Sequence, residues 1–176
     1  GFDTALTSAT EAVDRLHTTA EAHHRVMVLE LMGRDAGFIA LHAGMAGGAD
    51  VILIPEIPFR FEAVVAKVRE RVERGSRFSL LSVSEGARPQ GGQAVYARPG
   101  DAFTLPRLGG IGQEVGQYID AQGFEARVTV LGHLQRGGSP TAFDRWLATR
   151  YGAAAVRPAA AGRVGRMVAL RAARVV

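Results

Sequence analysis

The sequence has no cysteine, only one lysine, and no hydrophobic run near the roughly 18 residues that a membrane span requires. The absence of cysteine excludes a disulfide framework, a thiolate metal site and a cysteine nucleophile. The first residues show none of the basic and apolar pattern of a signal peptide. We therefore expect a cytoplasmic protein that does not bind membranes.

Among the 21 basic residues only Lys67 is a lysine, and the formal net charge is +4. Two interpretations of the arginines remain open. Arginine binds phosphate through a planar, two-pronged fork, so the arginines can serve a phosphate site. A genomic preference for arginine codons explains the same bias. Nucleic-acid binding is not expected, because the arginines are spread along the chain without basic runs or interleaved aromatic residues.

The hydrophobic pattern alternates between helix-like and strand-like stretches. It predicts helices over residues 4–17, 38–46, 60–73, 111–121 and 141–156, and strands over residues 26–32, 51–54, 78–83, 128–131 and 166–170. Residues 86–110 are expected to form a long loop with a hairpin near residues 94–96. Strands that are apolar on both faces indicate a buried parallel sheet. The predicted fold class is therefore α/β, a three-layer α/β/α, Rossmann-like arrangement with a mainly parallel sheet.

Three predicted strands are followed directly by polar residues that a core does not need. Arg34 follows the first strand, Glu85 the third, and His133 and Arg136 the fourth. Ligands of open parallel sheets bind at the carboxyl ends of the strands, so these segments converge if the strands are neighbours. The set suits an anionic, hydroxyl-rich molecule. The alternative is that the arginines are solvated, that Glu85 pairs with one of them, and that His133 is a buried, hydrogen-bonded histidine.

Arg25 and Arg127 each precede a predicted strand, at the opposite edge of the sheet. A seven-residue strand spans roughly 23 Å, which a side chain cannot cover. These arginines therefore either serve the site of a neighbouring subunit or are ordinary edge charges. No metal site is predicted, since the adjacent His23 and His24 would point to opposite faces of a strand. Asp50 is expected to have a surface role.

The segments MGRDAGFIA (32–40), IPE (54–56) and LGHLQRGGSPTAFDR (131–145) resemble 6-phosphofructokinase of the bacterial type. The resemblance covers nearly the whole chain, in the right order, but only the C-terminal half of that family's subunit. We therefore expect residues 1–176 to be a fragment, the fructose 6-phosphate-binding half of a phosphofructokinase subunit. The alternative is a non-catalytic module that binds a sugar phosphate or another anion.

The resemblance also implies residue roles. Arg34 would be catalytic, steadying the transferring phosphoryl group, and Glu85 would bind fructose hydroxyls. Arg25 and Arg127 would reach into the pocket of the neighbouring subunit. The substrate-binding residues implied are Arg25, Met32, Gly33, Arg34, Glu85, Arg127, His133, Leu134, Gln135 and Arg136.

The implied reaction is phosphoryl transfer from ATP or pyrophosphate to the 1-hydroxyl of fructose 6-phosphate, which yields fructose 1,6-bisphosphate in glycolysis. The implied cofactor is Mg²⁺, whose ligands are expected upstream of residue 1 together with the donor loops and an aspartate general base. The implied partner is a second copy of the chain, in a dimer or tetramer with shared sites.

Some positions depart from the short, effector-regulated form of the family. His17 and Ser76 stand where that form has basic residues, and Asp50 replaces a glutamate, which argues against ADP-type activation. The stretch over residues 86–112 resembles the longer subgroup, whose members use ATP or pyrophosphate.

Overall fold

A computed structural model describes residues 1–98 and 107–176 of the chain. The helices are α1 (Phe2–His23), α2 (Phe38–Ala46), α3 (Phe61–Glu73), α4 (Ile111–Ala121) and α5 (Ala142–Ala160), with a 3₁₀ helix at Gly132–Arg136. The strands are β1 (Val26–Leu31), β2 (Val51–Leu53), β3 (Ser79–Ser84), β4 (Tyr96–Arg98), β5 (Arg107–Leu108), β6 (Ala126–Val130), β7 (Leu170–Arg171) and β8 (Arg174–Val175). The chain forms two compact units, residues 5–137 and residues 1–4 with 138–176.

The larger unit contains a four-stranded sheet in the order β2-β3-β1-β6. Every neighbouring pair in it is parallel, and Val26 of β1 lies opposite Ser79 on one side and Ala126 on the other. The predicted parallel sheet is therefore confirmed. Strand β1 lies between β3 and β6, which makes the three strands that carry the polar segments direct neighbours.

Alternate residues of the strands face two separate cores, because successive side chains of a strand point to opposite faces. Val28 lies in a cluster with residues of α3 and α4, whereas Leu29 lies in a cluster with residues of α1 and α2. Both side chains are fully buried. Helices thus cover both faces of the sheet, which confirms the three-layer α/β/α arrangement.

Several element boundaries differ from those predicted. Helix α1 continues to His23 instead of ending at residue 17, and β6 begins at Ala126 rather than at residue 128. The long loop over residues 86–110 contains an antiparallel pair, with Tyr96 of β4 opposite Leu108 of β5. The predicted hairpin is therefore present, although residues 99–106 lie outside the described range.

The smaller unit is built around α5 and a short antiparallel hairpin of β7 and β8. The sequence predicts a strand over residues 166–170, whereas the described strands here have two residues each and are joined by Ala172, which has a φ of 51°, and Ala173. Thr141 caps α5 by accepting a hydrogen bond from the backbone of Asp144. The Asp144 carboxylate in turn accepts bonds from the backbone amide and hydroxyl of Thr4 and lies 3.1 Å from the amino group of Gly1.

These contacts set the pKa of Asp144. Burial by itself raises that pKa, but the hydrogen bonds from Thr4 and the positive charge of Gly1 outweigh it and lower the pKa to about 2.

Within the described residues, no helix has both the length and the apolar character needed to span a membrane.

Candidate functional site

Three polar segments lie at one edge of the sheet, at the carboxyl ends of β1, β3 and β6. Arg34 follows β1 after two residues, Glu85 follows β3 directly, and the 3₁₀ helix with His133 and Arg136 begins shortly after β6. Because β1 is hydrogen-bonded to both β3 and β6, these segments are neighbours in space. This edge is where an open parallel sheet binds ligands.

Glu85 holds the turn that carries Arg34. Its Oε1 atom accepts hydrogen bonds from the backbone amides of Gly33 at 3.2 Å and Arg34 at 3.0 Å. The backbone amide of Glu85 donates to the carbonyl of Leu31 at 2.8 Å, which continues the pairing of β1 and β3 past the strand ends. Arg34 has a φ of 53°, a backbone conformation that is unfavourable for residues other than glycine. The two bonds to Glu85 therefore stabilise a strained turn.

Close packing beneath this turn requires glycine at position 86. A Cβ atom added to Gly86 would lie 1.9 Å from the carbonyl oxygen of Arg34, far inside contact distance. A Cβ atom on Gly33 would likewise lie 2.4 Å from the carbonyl oxygen of Ala36. The two segments approach so closely that any side chain at either glycine would displace the backbone of the turn.

Gln135 joins the 3₁₀ helix to the same turn from the other side. Its Oε1 atom accepts a hydrogen bond from the backbone amide of Met32 at 2.8 Å, and the residue is only 2% exposed. Its Nε2 atom is buried and has no hydrogen-bond partner among the residues that the structure describes. Gln135 therefore lies below the surface of the site, whereas its neighbour Leu134 is 75% exposed.

The charged side chains at this edge are open to solvent. Arg34 is half exposed, and its Nε atom lies 3.6 Å from the Asp35 carboxylate. The side chains of His133 and Arg136 are exposed, and neither forms a hydrogen bond or an ion pair with any residue in the ranges 1–98 and 107–176. His133 is thus not the buried histidine considered as an alternative. Glu85 bonds to the backbone of Arg34 and, in the described part of the chain, forms no ion pair with a guanidinium.

Arg25 and Arg127 lie together at the opposite edge. Both contact one carboxylate oxygen of Glu125, at 2.9 Å from Arg25 Nε and 2.6 Å from Arg127 Nη2. Arg127 is the second residue of β6 and not, as predicted, a residue before the strand. Strand β1 has six residues and so separates these arginines from Arg34 by roughly 20 Å. The structure does not bring them into the Arg34 site of the same chain.

The family model described as phosphofructokinase matches residues 1–159. The chain belongs to the phosphofructokinase family. This confirms the resemblance seen in the three sequence segments.

Three proteins show the range of similarity within the family. It is 63% identical over 172 residues to an ATP-dependent 6-phosphofructokinase of Chloroflexus aggregans, covering 97% of this chain and 47% of that protein. It is 55% identical over 173 residues to a pyrophosphate–fructose 6-phosphate 1-phosphotransferase of Streptomyces coelicolor, covering 97% of this chain and 50% of that protein. The structure of phosphofructokinase from Saccharomyces cerevisiae superposes with a TM-score of 0.79 at 31% identity, over 98% of this chain and 22% of that one.

The chain thus spans about half the length of the curated relatives it matches. Those relatives include users of both ATP and pyrophosphate. Both implied phosphoryl donors are therefore represented among proteins with high identity to this chain.

The described residues of this chain do not supply the ligand cluster that a magnesium ion needs. Over residues 1–98 and 107–176, no three His, Asp or Glu side chains lie close enough together to hold a metal ion. The carboxylates at the site edge are engaged elsewhere, Glu85 with backbone amides and Asp35 with Arg34.

Glu30 is an important residue that the sequence analysis overlooked. It lies in the central strand β1, is 3% exposed, and accepts hydrogen bonds from the backbone amides of Gly110 and Gly112 at 3.1 and 2.7 Å. Its carboxylate caps α4, where the helix N-terminus favours negative charge. The signal was available, since Glu30 is the only charged residue in an otherwise apolar strand.

Two further carboxylates have structural roles, Glu56 near the site and Asp50 at the opposite edge of the sheet, just before β2. Glu56, of the IPE segment, accepts a hydrogen bond from the backbone amide of Gly37 at 2.9 Å and so caps α2. Asp50 accepts a hydrogen bond from the amide of Leu80 at 2.8 Å and lies 2.7 Å from Arg71. The surface role predicted for Asp50 is wrong, because its side chain is only 12% exposed and joins β3 to α3.

Proposed function

We propose that this chain is the sugar-phosphate half of a 6-phosphofructokinase. The complete enzyme transfers a phosphoryl group from ATP or pyrophosphate to the 1-hydroxyl of fructose 6-phosphate, and the product is fructose 1,6-bisphosphate. This is a step of glycolysis, in the cytoplasm. The observation that carries the proposal is the convergence of Arg34, Glu85 and the 3₁₀ helix at the carboxyl ends of three adjacent strands.

In this mechanism Arg34 acts on the transferring group. The 1-hydroxyl oxygen attacks the donor phosphorus, the bond from that phosphorus to its bridging oxygen breaks, and the hydroxyl proton passes to a base outside this chain. Catalysis of such transfers is mostly positioning and neutralisation of the phosphoryl oxygens. Because Glu85 fixes the backbone of Arg34 and the guanidinium stays exposed, the positive charge is positioned before substrate arrives.

The other side chains place the acceptor. His133 and Arg136 bind the 6-phosphate through charge-assisted hydrogen bonds, in keeping with their exposed and uncommitted side chains. Glu85 accepts a bond from a fructose hydroxyl with the oxygen that the turn does not use. Met32, Gly33 and Leu134 form the surface around the sugar. We assign Gln135 a positioning role, since its burial keeps it from the substrate.

The enzyme is a homo-oligomer, a dimer or tetramer, in which Arg25 and Arg127 bind the sugar phosphate of a neighbouring subunit. Their distance of roughly 20 Å from Arg34 in the same chain supports this arrangement. Glu125 holds both guanidinium groups together at one edge. The resemblance places the Mg²⁺ ligands outside this chain, and no step above depends on the metal.

Isothermal titration with fructose 6-phosphate, combined with a coupled assay for each donor, tests the proposal. The 176-residue chain should bind fructose 6-phosphate without turnover, and the complete protein should turn over with ATP or with pyrophosphate. A complete protein that binds but is inactive with both donors would favour the non-catalytic module. A complete protein that does not bind fructose 6-phosphate would overturn the proposed function.

A further inference from the structure

A polar cavity of about 300 Å³ lies beside the Arg34 turn. It is lined by Asp35, Pro55, Gly86, Arg88, Gln93 and Tyr96, with Gly92 and Ala94. Asp35 directly follows Arg34 and Gly86 directly follows Glu85, so the two segments that form the site edge also form one wall of the cavity. None of the roles proposed above involves this space, which we call the hairpin pocket because its other wall leads into β4.

The wall that carries Arg88 is held firmly by backbone hydrogen bonds. The amide of Phe59 donates to the carbonyl of Arg88 at 3.1 Å, and the amide of Gln90 donates to the carbonyl of Phe59 at 2.7 Å. A turn follows, in which the amide of Gly92 donates to the carbonyl of Pro89 at 2.9 Å. The backbone of Arg88 is therefore ordered without any help from its side chain.

The described lining of the hairpin pocket holds one basic residue, Arg88, and one acidic residue, Asp35. Within residues 1–98 and 107–176, the Arg88 guanidinium forms no ion pair or hydrogen bond, and the residue is exposed. The Asp35 carboxylate lies 3.6 Å from the Nε atom of Arg34. Gln93 and Tyr96 add side chains that can donate hydrogen bonds. A guanidinium that pairs with no carboxylate among the described residues, on a backbone held by hydrogen bonds and beside neutral donors, suits a phosphate-type anion.

We propose that the hairpin pocket binds inorganic phosphate or pyrophosphate through Arg88, at a position separate from the Arg34, Glu85, His133 and Arg136 edge. The volume favours a small anion, because it lies at the lower end of the range of about 300–1,000 Å³ for ligand pockets. The bound anion accepts hydrogen bonds from the guanidinium of Arg88 and from Gln93 and Tyr96. The proposal is independent of the proposed reaction, since it concerns binding alone.

Amide chemical shifts of the ¹⁵N-labelled 176-residue chain, followed during separate titrations with phosphate, pyrophosphate and fructose 6-phosphate, test this assignment. Phosphate or pyrophosphate should shift the signals of residues 86–96, and Arg88→Gln should weaken that binding at least about tenfold. Arg88→Lys, which keeps the charge but loses the fork, should have an intermediate affinity. The matched control Arg163→Gln removes an exposed arginine from the other unit and should change the affinity less than about twofold.

Thermal unfolding of each variant shows that it is folded before its affinity is compared. The hairpin-pocket proposal would be overturned if Arg88→Gln bound phosphate and pyrophosphate with unchanged affinity. It would also be overturned if these anions shifted only the signals of residues 32–34 and 133–136. The fructose 6-phosphate titration separates this proposal from the proposed function. If fructose 6-phosphate shifts the signals of residues 32–34 but no anion binding depends on Arg88, the proposed function is retained and the hairpin-pocket proposal is rejected. If anion binding depends on Arg88 but fructose 6-phosphate causes no such shifts, the hairpin-pocket proposal is retained and the proposed function is rejected.

Discussion

The side-chain oxygen of Gln135 accepts a hydrogen bond from the backbone amide of Met32 at 2.8 Å. This bond ties the 3₁₀ helix, with His133 and Arg136, to the turn that carries Arg34. Glu85 ties the same turn to β3. The positions of the exposed charges at the site edge therefore depend on two side chains that lie beneath them.

Replacing Gln135 by alanine should disturb substrate binding through this link. The change leaves the buried amide of Met32 without an acceptor, which costs about 1–3 kcal/mol of stability. In the complete enzyme we expect the KM for fructose 6-phosphate to rise at least about tenfold, with a smaller change in kcat. Gln135→Glu keeps an acceptor oxygen and should recover part of the loss. The control Gln122→Ala alters an exposed glutamine and should change neither constant, and equal effects of the two alanine variants would contradict the positioning role.

Gly86→Ala should be strongly destabilising. The added Cβ would lie 1.9 Å from the carbonyl oxygen of Arg34, so the turn must move. We expect the free energy of unfolding, measured in urea, to fall by about 3 kcal/mol or more. Gly152→Ala is the matched control, because among the described residues no atom beyond its own turn of α5 lies within 4 Å of the added Cβ. It should raise the stability by about 0.5–1 kcal/mol, and a similar loss in both variants would refute the steric explanation.

Arg34→Ala in the complete enzyme should lower turnover far more than it raises the Michaelis constant for fructose 6-phosphate. The guanidinium is proposed to stabilise charge that develops in the transition state, and losing one such group lowers kcat by about 10²- to 10³-fold. Steady-state kinetics with saturating donor measure both constants. An unchanged turnover number would remove Arg34 from its catalytic role.

Arg127→Ala should weaken fructose 6-phosphate binding only if subunits share sites. The residue lies at the sheet edge opposite to Arg34, paired with Glu125, so its loss leaves the Arg34 turn of its own chain intact. In mixed oligomers of Arg127→Ala and Arg34→Ala subunits, some sites should regain both arginines and therefore activity. Arg157→Ala, an exposed arginine of α5, serves as the control. Mixed oligomers in which no activity is regained, or in which every site runs at the wild-type rate, would exclude sharing.

The stability of the 176-residue chain should fall in acid because of Asp144. Its pKa in the folded chain is about 2, below the ordinary 3.8, so the unfolded chain binds the proton more tightly. The contribution, about 2 kcal/mol, is fully present above pH 3.8 and is lost as the pH falls through 2. Urea unfolding between pH 2 and 6 should show this loss in the wild type and not in Asp144→Asn. Identical pH profiles would disprove the assignment.

The layered fold was predictable because it depends on local hydrophobic pattern. Apolar strands such as β1 and β3 alternate with amphipathic helices, and that alternation allows few arrangements other than a covered parallel sheet. The carboxyl-end position of Arg34, Glu85 and His133 follows from the same pattern, since each lies within three residues after the end of a strand. Strand boundaries do not follow from the pattern as closely. Strand β6 begins two residues before the predicted strand, so Arg127 lies inside it and not before it.

The contacts within the site were not predictable, because they join residues far apart in the chain. Hydrophobic periodicity identifies strands but does not indicate which strands are neighbours. The position of β1 between β3 and β6 is therefore known only from the strand order of the folded sheet. The same applies to Gln135 and Glu30, whose polar groups are buried. A buried polar group must find a hydrogen-bond partner, and that partner is chosen by packing in three dimensions and not by spacing along the sequence.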